Sequence, residues 1–184
     1  RVVDLLADLK MKDGQLDEAE KLYQMAHKDD PYHTKWIAGL ARVHLRQKNT
    51  AKMLEDLAMI AANDADDLAV RRTLTERYLA AGNAVEAEKW AEECLQIDVY
   101  DAGAHVLLGD ALTAGKKFAP AIEEYETALT LQPPKPVPIQ LKIAEARLDF
   151  GQRDKAKVIV DEILKADPEH PEAKALRERI EPAK

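Results

Sequence analysis

A spacing of about 34 residues recurs along the chain. Ala87 lies 34 residues before Ala121, Ala121 lies 35 before Ala156, and Ala19 lies 68 residues, or twice 34, before Ala87. Each alanine falls within a helical pattern and is followed by a large residue and another small one. A repeat of this length buries its apolar face only against its neighbours. We therefore expect an all-α array of helix hairpins.

Rows of this length divide the chain into five pairs of amphipathic helices and one further helix. The expected rows cover residues 1–33, 34–67, 68–101, 102–136 and 137–170, and the further helix covers 171–181, so that residues 1–184 form a single array. Pro171 fits the first turn of the last helix, and Ala173, Leu176 and Ile180 share one stripe. This helix is predicted to cap the array. The alternative is that it opens another repeat.

Turn residues separate the two helices of each row. The breaks carry Gly14, Asn49, Gly82, Gly115 and Gly151. Glycine and asparagine tolerate the left-handed conformation that ends one helix before the next begins, so these five residues are predicted to adopt it. Between the last two rows, the proline-rich residues 133–138 are predicted to form a stiff turn rather than a ligand for another domain.

These residues resemble the tetratricopeptide repeat (TPR) family, whose signature is W-x2-L-G-x2-Y, then A-x3-F, then proline. The fourth row matches it with Leu108, Gly109, Leu112, Ala121, Tyr125, Ala128 and Pro133. The first row matches it with Leu6, Ala7, Ala19, Tyr23, Ala26 and Pro31. The second row departs most, because Met53 occupies the position of the small crossing residue. The resemblance implies a right-handed superhelical solenoid of antiparallel helix hairpins.

The resemblance also implies a binding groove, because in TPR proteins the first helix of each hairpin lines a concave surface. The family's ligand-facing positions fall here on a cationic patch in rows two and three and an apolar trough in rows three to five. The predicted peptide-binding residues are Lys35, Arg42, Arg46, Arg72, Leu79, Val106, Leu141 and Leu148. A protein or peptide with acidic and hydrophobic residues would match them. The alternative is that the cations pair with acids of adjacent rows, since Arg42 is placed between Asp8 and Glu76.

One ligand of the family is not expected here. Members that hold the C-terminal carboxylate of heat-shock chaperones use a clamp of lysine, arginine and asparagine side chains. The matching positions in this sequence are Asp4, Asp8, Gly39, Ala69 and Thr73. Two acids at these positions would repel a carboxylate.

Composition excludes several other classes of partner. The net charge of −7 argues against general nucleic-acid binding, which requires a positive surface. No apolar run approaches the ~20 residues of a membrane span, so a membrane partner is not expected. A lone Cys94 cannot form an internal disulfide and is predicted to be a packed core residue. The array is expected to be a monomer or to associate weakly through its ends.

Catalytic patterns are absent from the sequence. The five histidines are not spaced as a helical metal pair, and no phosphate-binding loop or nucleophile elbow occurs, so no enzyme activity, metal or cofactor is expected. His44 takes a position where the family usually has tyrosine, and is predicted to pack. The resemblance implies a non-catalytic protein–protein interaction scaffold.

A second hypothesis is a docking or spacer region of a larger enzyme, such as a peptidase or glycosyltransferase, with its catalytic domain elsewhere. The sequence begins at Arg1, without methionine and inside a predicted helix, so we expect it to be a fragment of a longer protein.

Overall fold

The computed structural model describes residues 2–181, which contain eleven α-helices and no β-strand. The helices are α1 (Val2–Lys12), α2 (Leu16–Asp29), α3 (Thr34–Arg46), α4 (Thr50–Asn63), α5 (Leu68–Ala80), α6 (Ala84–Ile97), α7 (Ala102–Ala114), α8 (Phe118–Thr130), α9 (Pro136–Asp149), α10 (Arg153–Ala166) and α11 (Pro171–Ile180). Arg1 and residues 182–184, which belong to the expected array, lie outside the described residues. The predicted all-α, solenoid-like fold is confirmed.

The chain divides into two compact units, an N-terminal unit (Arg1–Leu74) and a C-terminal unit (Thr75–Lys184). In the N-terminal unit, α2 packs against α1, α3 against α2, and α4 against α3. In the C-terminal unit, each helix from α7 to α11 packs against the one before it, and α11 also contacts α9. Within each unit, the apolar faces are therefore buried mainly against sequence neighbours.

Small residues lie where the helices cross. The four alanines that define the period, Ala19, Ala87, Ala121 and Ala156, are fully buried. The buried cluster of the N-terminal unit consists of Ala7, Met11, Ala19, Tyr23, Leu40 and Val43. The C-terminal unit has one cluster that includes Tyr125 and another that includes Val160. Alanine permits close approach of two helices, and the neighbouring large side chains fill the remaining space.

The left-handed turn residues lie at one fixed place, two residues before the second helix of each hairpin. Gly14, Gly82 and Gly151 have φ values of 77°, 72° and 82°, as predicted. The prediction is wrong for Asn49 and Gly115, whose φ values are −89° and −78°. The lysine at the fixed place adopts the left-handed conformation instead, with φ of 57° at position 48 and 59° at position 116. The geometry of the turn thus outweighs the preference of lysine for negative φ.

Asn49 has a different role from the one predicted. It is the N-cap of α4, and its side chain accepts a hydrogen bond from the backbone N–H of Lys52 at 3.2 Å. This bond satisfies a donor that the first turn of a helix leaves free.

The proline-rich turn is shorter than predicted. Helix α8 ends at Thr130, Gln132 has a φ of 53°, and α9 begins at Pro136. Pro136 and Pro138 therefore lie in the first turn of α9 rather than in the connection. Proline is tolerated there because the first turn of a helix does not need its N–H group.

Candidate peptide-binding groove

Four of the predicted groove residues belong to the N-terminal unit, and we call them the cationic row: Lys35, Arg42, Arg46 and Arg72. The Nζ atom of Lys35 lies 2.6 Å from Asp4 Oδ2, and Arg42 Nη2 lies 3.3 Å from Asp8 Oδ1. These contacts join α3 to α1. Pairing between hairpins, the alternative reading of these cations, therefore occurs at both positions.

The other two members of the row differ in exposure. Arg46 is exposed and donates from Nη1 to the backbone oxygen of Met11 at 2.9 Å, which satisfies a carbonyl in the last turn of α1. Arg72 is partly buried. The side chains of Lys35 and Arg42 remain 45% and 52% exposed despite their ion pairs. Exposed pairs of this kind contribute about 0–1 kcal/mol each.

A tyrosine hydroxyl links two hairpins in the N-terminal unit. Tyr23 on α2 donates to Asp8 Oδ1 at 3.0 Å, and Arg42 on α3 donates from Nη2 to the Tyr23 hydroxyl at 3.0 Å. Burial, together with the bond to Asp8, raises the pKa of Tyr23 to about 12. The hydroxyl therefore stays protonated near neutral pH and fixes the orientation of both charged side chains.

The C-terminal unit repeats this arrangement with a lysine in place of the arginine. Tyr125 donates to Asp110 Oδ1 at 2.7 Å, and Lys142 Nζ lies 2.6 Å from the same oxygen. The hydroxyls of Thr113 and Tyr125 are 3.3 Å apart. Burial raises the pKa of Tyr125 above its usual range. Asp110 thus accepts from α8 and α9 at once.

Glycines make room for both tyrosine rings. A Cβ atom built on Gly39 would lie 2.4 Å from Tyr23 Cε1, and one built on Gly109 would lie 2.4 Å from Tyr125 Cε1. Gly39 belongs to the hairpin after that of Tyr23, whereas Gly109 belongs to the same hairpin as Tyr125. Each ring is therefore seated against the backbone of a first helix, but from a different direction.

An open groove runs along the C-terminal unit beside this second tyrosine. One pocket of about 390 Å³ is lined by Leu79, Asp110, Thr113, Ala114, Tyr125, Lys142 and Glu145. A second pocket, of about 340 Å³, is lined by Pro138, Leu141, Lys142, Glu145, Glu172 and Leu176. Because they share Lys142 and Glu145, the two pockets form one continuous surface, which we call the C-terminal groove.

The C-terminal groove has an acidic wall. Its lining carries the carboxylates of Asp110, Glu145 and Glu172 and one ammonium group, that of Lys142. Glu145 Oε1 also lies 3.1 Å from Nη1 of Arg179, and both of these side chains are about half exposed. The groove can therefore offer apolar contact through its leucines and hydrogen-bond acceptors through its acids.

The predicted apolar residues divide into two groups. Leu79 and Leu141 line the C-terminal groove, although Leu141 is only 7% exposed. Val106 and Leu148 are partly buried and pack against the two buried clusters of the unit. The eight predicted residues thus form two sets, a cationic row in one unit and an apolar set in the other.

Sequence reasoning missed several residues of the C-terminal groove, among them Tyr125 and Lys142. Tyr125 was expected only to fill space at a helix crossing, and Lys142 was not considered. The available signal was a second-helix tyrosine that follows an aspartate by fifteen positions in both rows, as Tyr23 follows Asp8 and Tyr125 follows Asp110. A tyrosine at that distance places its hydroxyl on the groove side of the first helix.

His44 is buried, as predicted, but it also forms a polar cluster between α2, α3 and α4. Its Nδ1 lies 2.6 Å from Asp56 Oδ2 and its Nε2 lies 3.3 Å from Glu20 Oε1. Gln47 and Lys52 donate to the carboxylate of Glu20 at 3.0 and 3.2 Å. Hydrogen bonds, first that of Gln47, lower the pKa of Glu20 to about 2, whereas burial raises the pKa of Asp56. The cluster joins the first two hairpins.

Three further features of residues 2–181 bear on function. No group of histidine, cysteine and acidic side chains in this range could hold a metal ion. None of the helices described combines the length and apolar character needed to cross a membrane. Cys94, the single cysteine of the sequence, is fully buried, in line with its predicted place in the core.

Stacked amphipathic hairpins that leave an open groove on their first helices define the class of helical-repeat interaction scaffolds. The chain belongs to the tetratricopeptide repeat family, whose model matches residues 10–77 and 115–180. Proteins of this family generally act as non-catalytic scaffolds that bind proteins or peptides. No curated protein matches the sequence.

Solved structures of TPR proteins share the fold. A crystal structure of MamA is 18% identical, with a TM-score of 0.72, and the match covers 100% of this chain and 96% of that one. YrrB, described as a TPR protein with an unusual peptide-binding site, is 14% identical, with a TM-score of 0.75 and coverage of 96% and 90%. TTC0263 of Thermus thermophilus is 22% identical, with a TM-score of 0.58 and coverage of 97% and 95%. At these identities the likeness concerns the fold alone.

Proposed function

We propose that this chain is a non-catalytic scaffold that binds a peptide or protein segment along the first helices of its hairpins. The observation that supports this most is the C-terminal groove, an open surface of two joined pockets with both apolar and charged lining. Tyr125 and Lys142 both donate to Asp110, so three polar side chains of the groove already hold one another in place. A prearranged surface costs less ordering on binding than a flexible one.

The two units favour partner side chains of different charge. Lys35 and Arg42 are paired but about half exposed, so their remaining N–H groups can donate to acidic side chains of a partner. The C-terminal groove has three carboxylates against one ammonium group and favours apolar and cationic side chains. The proposed partner is therefore rich in apolar residues, with acids that bind the cationic row and cations that bind the groove.

The alternative, a docking region of a larger enzyme, would use the same surfaces. It differs only in what is joined to the chain. The domain content of the full-length gene separates the two, because a peptidase or glycosyltransferase domain in the same reading frame would favour the docking role.

The test first selects binding peptides from a displayed library. The dissociation constants of the selected peptides are then measured for the wild-type chain and its variants. Replacing Arg46 and Arg72 together by Ala should weaken an acidic peptide more at low salt than at high salt, because salt screens exposed charges over about 8 Å. Leu79→Ala should weaken an apolar peptide with little salt dependence. Lys155→Ala and Val158→Ala, on the exposed side of α10, are the matched controls.

Helicity and melting temperature of each variant are measured alongside, because Arg46 also bonds to Met11. Equal dissociation constants for wild type and all groove variants, at both salt concentrations, would remove these surfaces as the binding site. The same result with intact folding would leave the arginines as pairing groups between hairpins.

A further inference from the structure

Helix α11 brings a cation to an acid of the C-terminal groove. Nη1 of Arg179 lies 3.1 Å from Oε1 of Glu145, and its Nη2 lies 3.5 Å from Oδ1 of Asp149, one turn further along α9. Arg179 follows Glu145 by 34 residues, the same spacing by which Arg42 follows its partner Asp8. Arg179 therefore takes the same position on its helix as Arg42, one of the predicted groove residues.

The pair of Glu145 and Arg179 lacks the hydroxyl that ties the comparable acids in place. A tyrosine fifteen residues after the acid donates to Asp8 in the N-terminal unit and to Asp110 in the C-terminal unit. The residue fifteen positions after Glu145 is Val160, whose apolar side chain is fully buried. The side chain of Glu145 is also 53% exposed, against 39% for Asp8 and 25% for Asp110. Of these three acids, Glu145 is therefore the one whose ion pair opens most easily.

We propose that Arg179 is an internal competitor of the partner's cationic side chains in the C-terminal groove. This inference rests on the proposed function, which assigns such side chains to the acidic wall of the groove. Glu145 lines both pockets of the groove, and in the free chain it is already paired with Arg179. A partner cation that binds Glu145 has to open this pair, so binding exchanges one ion pair for another. Removing Arg179 should therefore strengthen the binding of cations.

The pocket beside this pair can receive the long side chain of an arginine. Its lining joins the carboxylates of Glu145 and Glu172 to the apolar side chains of Leu141 and Leu176, whereas Arg179 lies outside this lining. The methylene groups of an arginine can pack on the leucines while its guanidinium group reaches the acids. Arginine is a better probe than lysine because its planar fork binds a carboxylate through two hydrogen bonds.

The test uses two short peptides that differ only in charge. The probe is acetyl-Leu-Arg-Ala-Leu-amide, and in its neutral match citrulline, which has the shape of arginine without the charge, replaces the arginine. Dissociation constants are measured by NMR titration of the full chain at low salt. We expect Arg179→Ala to bind the arginine peptide about two- to fivefold more tightly than wild type, the factor that an exposed ion pair contributes. The citrulline peptide should bind both proteins equally.

Arg177→Ala is the matched control, because it removes the same charge from the same helix. Arg177 pairs with Asp161 at 2.8 Å and with Glu181 at 3.6 Å, and none of these three residues lines the C-terminal groove. This variant should bind the arginine peptide as wild type does. Adding Glu145→Gln to Arg179→Ala should remove the gain, because the acid for which the arginine competes is then neutral.

Three results would overturn the proposal. Equal tightening by Arg177→Ala would show a general effect of net charge, and weaker binding by Arg179→Ala would show that Arg179 positions Glu145 rather than competing for it. Absence of binding of the arginine peptide to all of the proteins would show that the groove takes no such side chain. Melting temperatures confirm that each variant is folded.

The proposed function is judged separately from this inference. Peptides selected from the displayed library that lose affinity with Leu79→Ala would support binding in the groove even if Arg179→Ala has no effect on the arginine peptide. Loss of both results would reject the groove as a binding site together with its competitor.

Discussion

At the scale of single residues, two lysines hold a backbone conformation that favours glycine. Lys48 and Lys116 have φ near +60°, at the place where other hairpins have glycine. The left-handed conformation costs a residue with a Cβ about 1–2 kcal/mol. Replacement by glycine removes this cost, but ordering the more flexible glycine backbone on folding costs about 0.5–1 kcal/mol. Lys116→Gly should therefore raise the free energy of unfolding by about 0.5–1 kcal/mol in urea titration. Gly151→Ala, at φ of 82°, is the reverse variant and should lower it.

The glycines that seat the tyrosine rings lead to a second prediction. Gly109→Ala would place Cβ 2.4 Å from Tyr125 Cε1, so the ring or the helix must shift, at about 1–3 kcal/mol. Gly115→Ala is the control, because its Cβ would meet its nearest neighbour, Ala111 O, at an ordinary 3.5 Å and φ is −78°. Thermal unfolding of the two variants measures the difference. If Gly109→Ala is as stable as Gly115→Ala, the ring of Tyr125 does not lie as close to the backbone of Gly109 as described.

At the scale of helices, the His44 cluster makes the N-terminal unit sensitive to acid. The pKa of Glu20 is lowered from 4.5 to about 2 in the folded state, so its contribution to stability is complete above about pH 5 and is lost as pH falls towards 2. Glu20→Gln should therefore reduce stability at pH 7 and flatten its decline between pH 5 and 2.5. Urea midpoints across this range measure the slope, with Glu55→Gln on the exposed face of α4 as control. Parallel curves for wild type and Glu20→Gln would contradict this assignment.

Helix positions were predictable because a small-residue period and the amphipathic pattern both constrain them. Helices α3, α5 and α7 begin at Thr34, Leu68 and Ala102, where the rows of 34 residues begin. Turn conformations were less predictable, since Lys48 is left-handed because of the geometry around it rather than its own preference. Partners of charged side chains were least predictable. The contact of Arg46 with Met11 O spans 35 residues and leaves no pattern in composition or spacing.

At the scale of the whole molecule, the fold alone does not determine the ligand. Asp4 and Asp8 lie at positions where chaperone-binding members have clamp residues, and they form ion pairs with Lys35 and Arg42. Gly39, at a third clamp position, has no side chain that could bind a carboxylate. The C-terminal tail peptide of a heat-shock chaperone should therefore bind no better than its amidated form, as measured by calorimetry. Micromolar affinity that requires the free carboxylate would contradict this expectation. The class of protein followed from the sequence, whereas the charge of the C-terminal groove required the structure.

The tyrosine seats also decide which hairpins can be recombined. Tyr125 and its glycine lie in one hairpin, so residues 102–136 carry the pair wherever that module is transplanted. Tyr23 depends on Gly39 of the next hairpin, so the first module can be moved only together with the second, or before another that has glycine at that position. Hairpins of equal length and similar sequence are therefore not interchangeable parts. A library that shuffles them should retain the junction between the first and second hairpins and can cut freely inside the connection at 131–135.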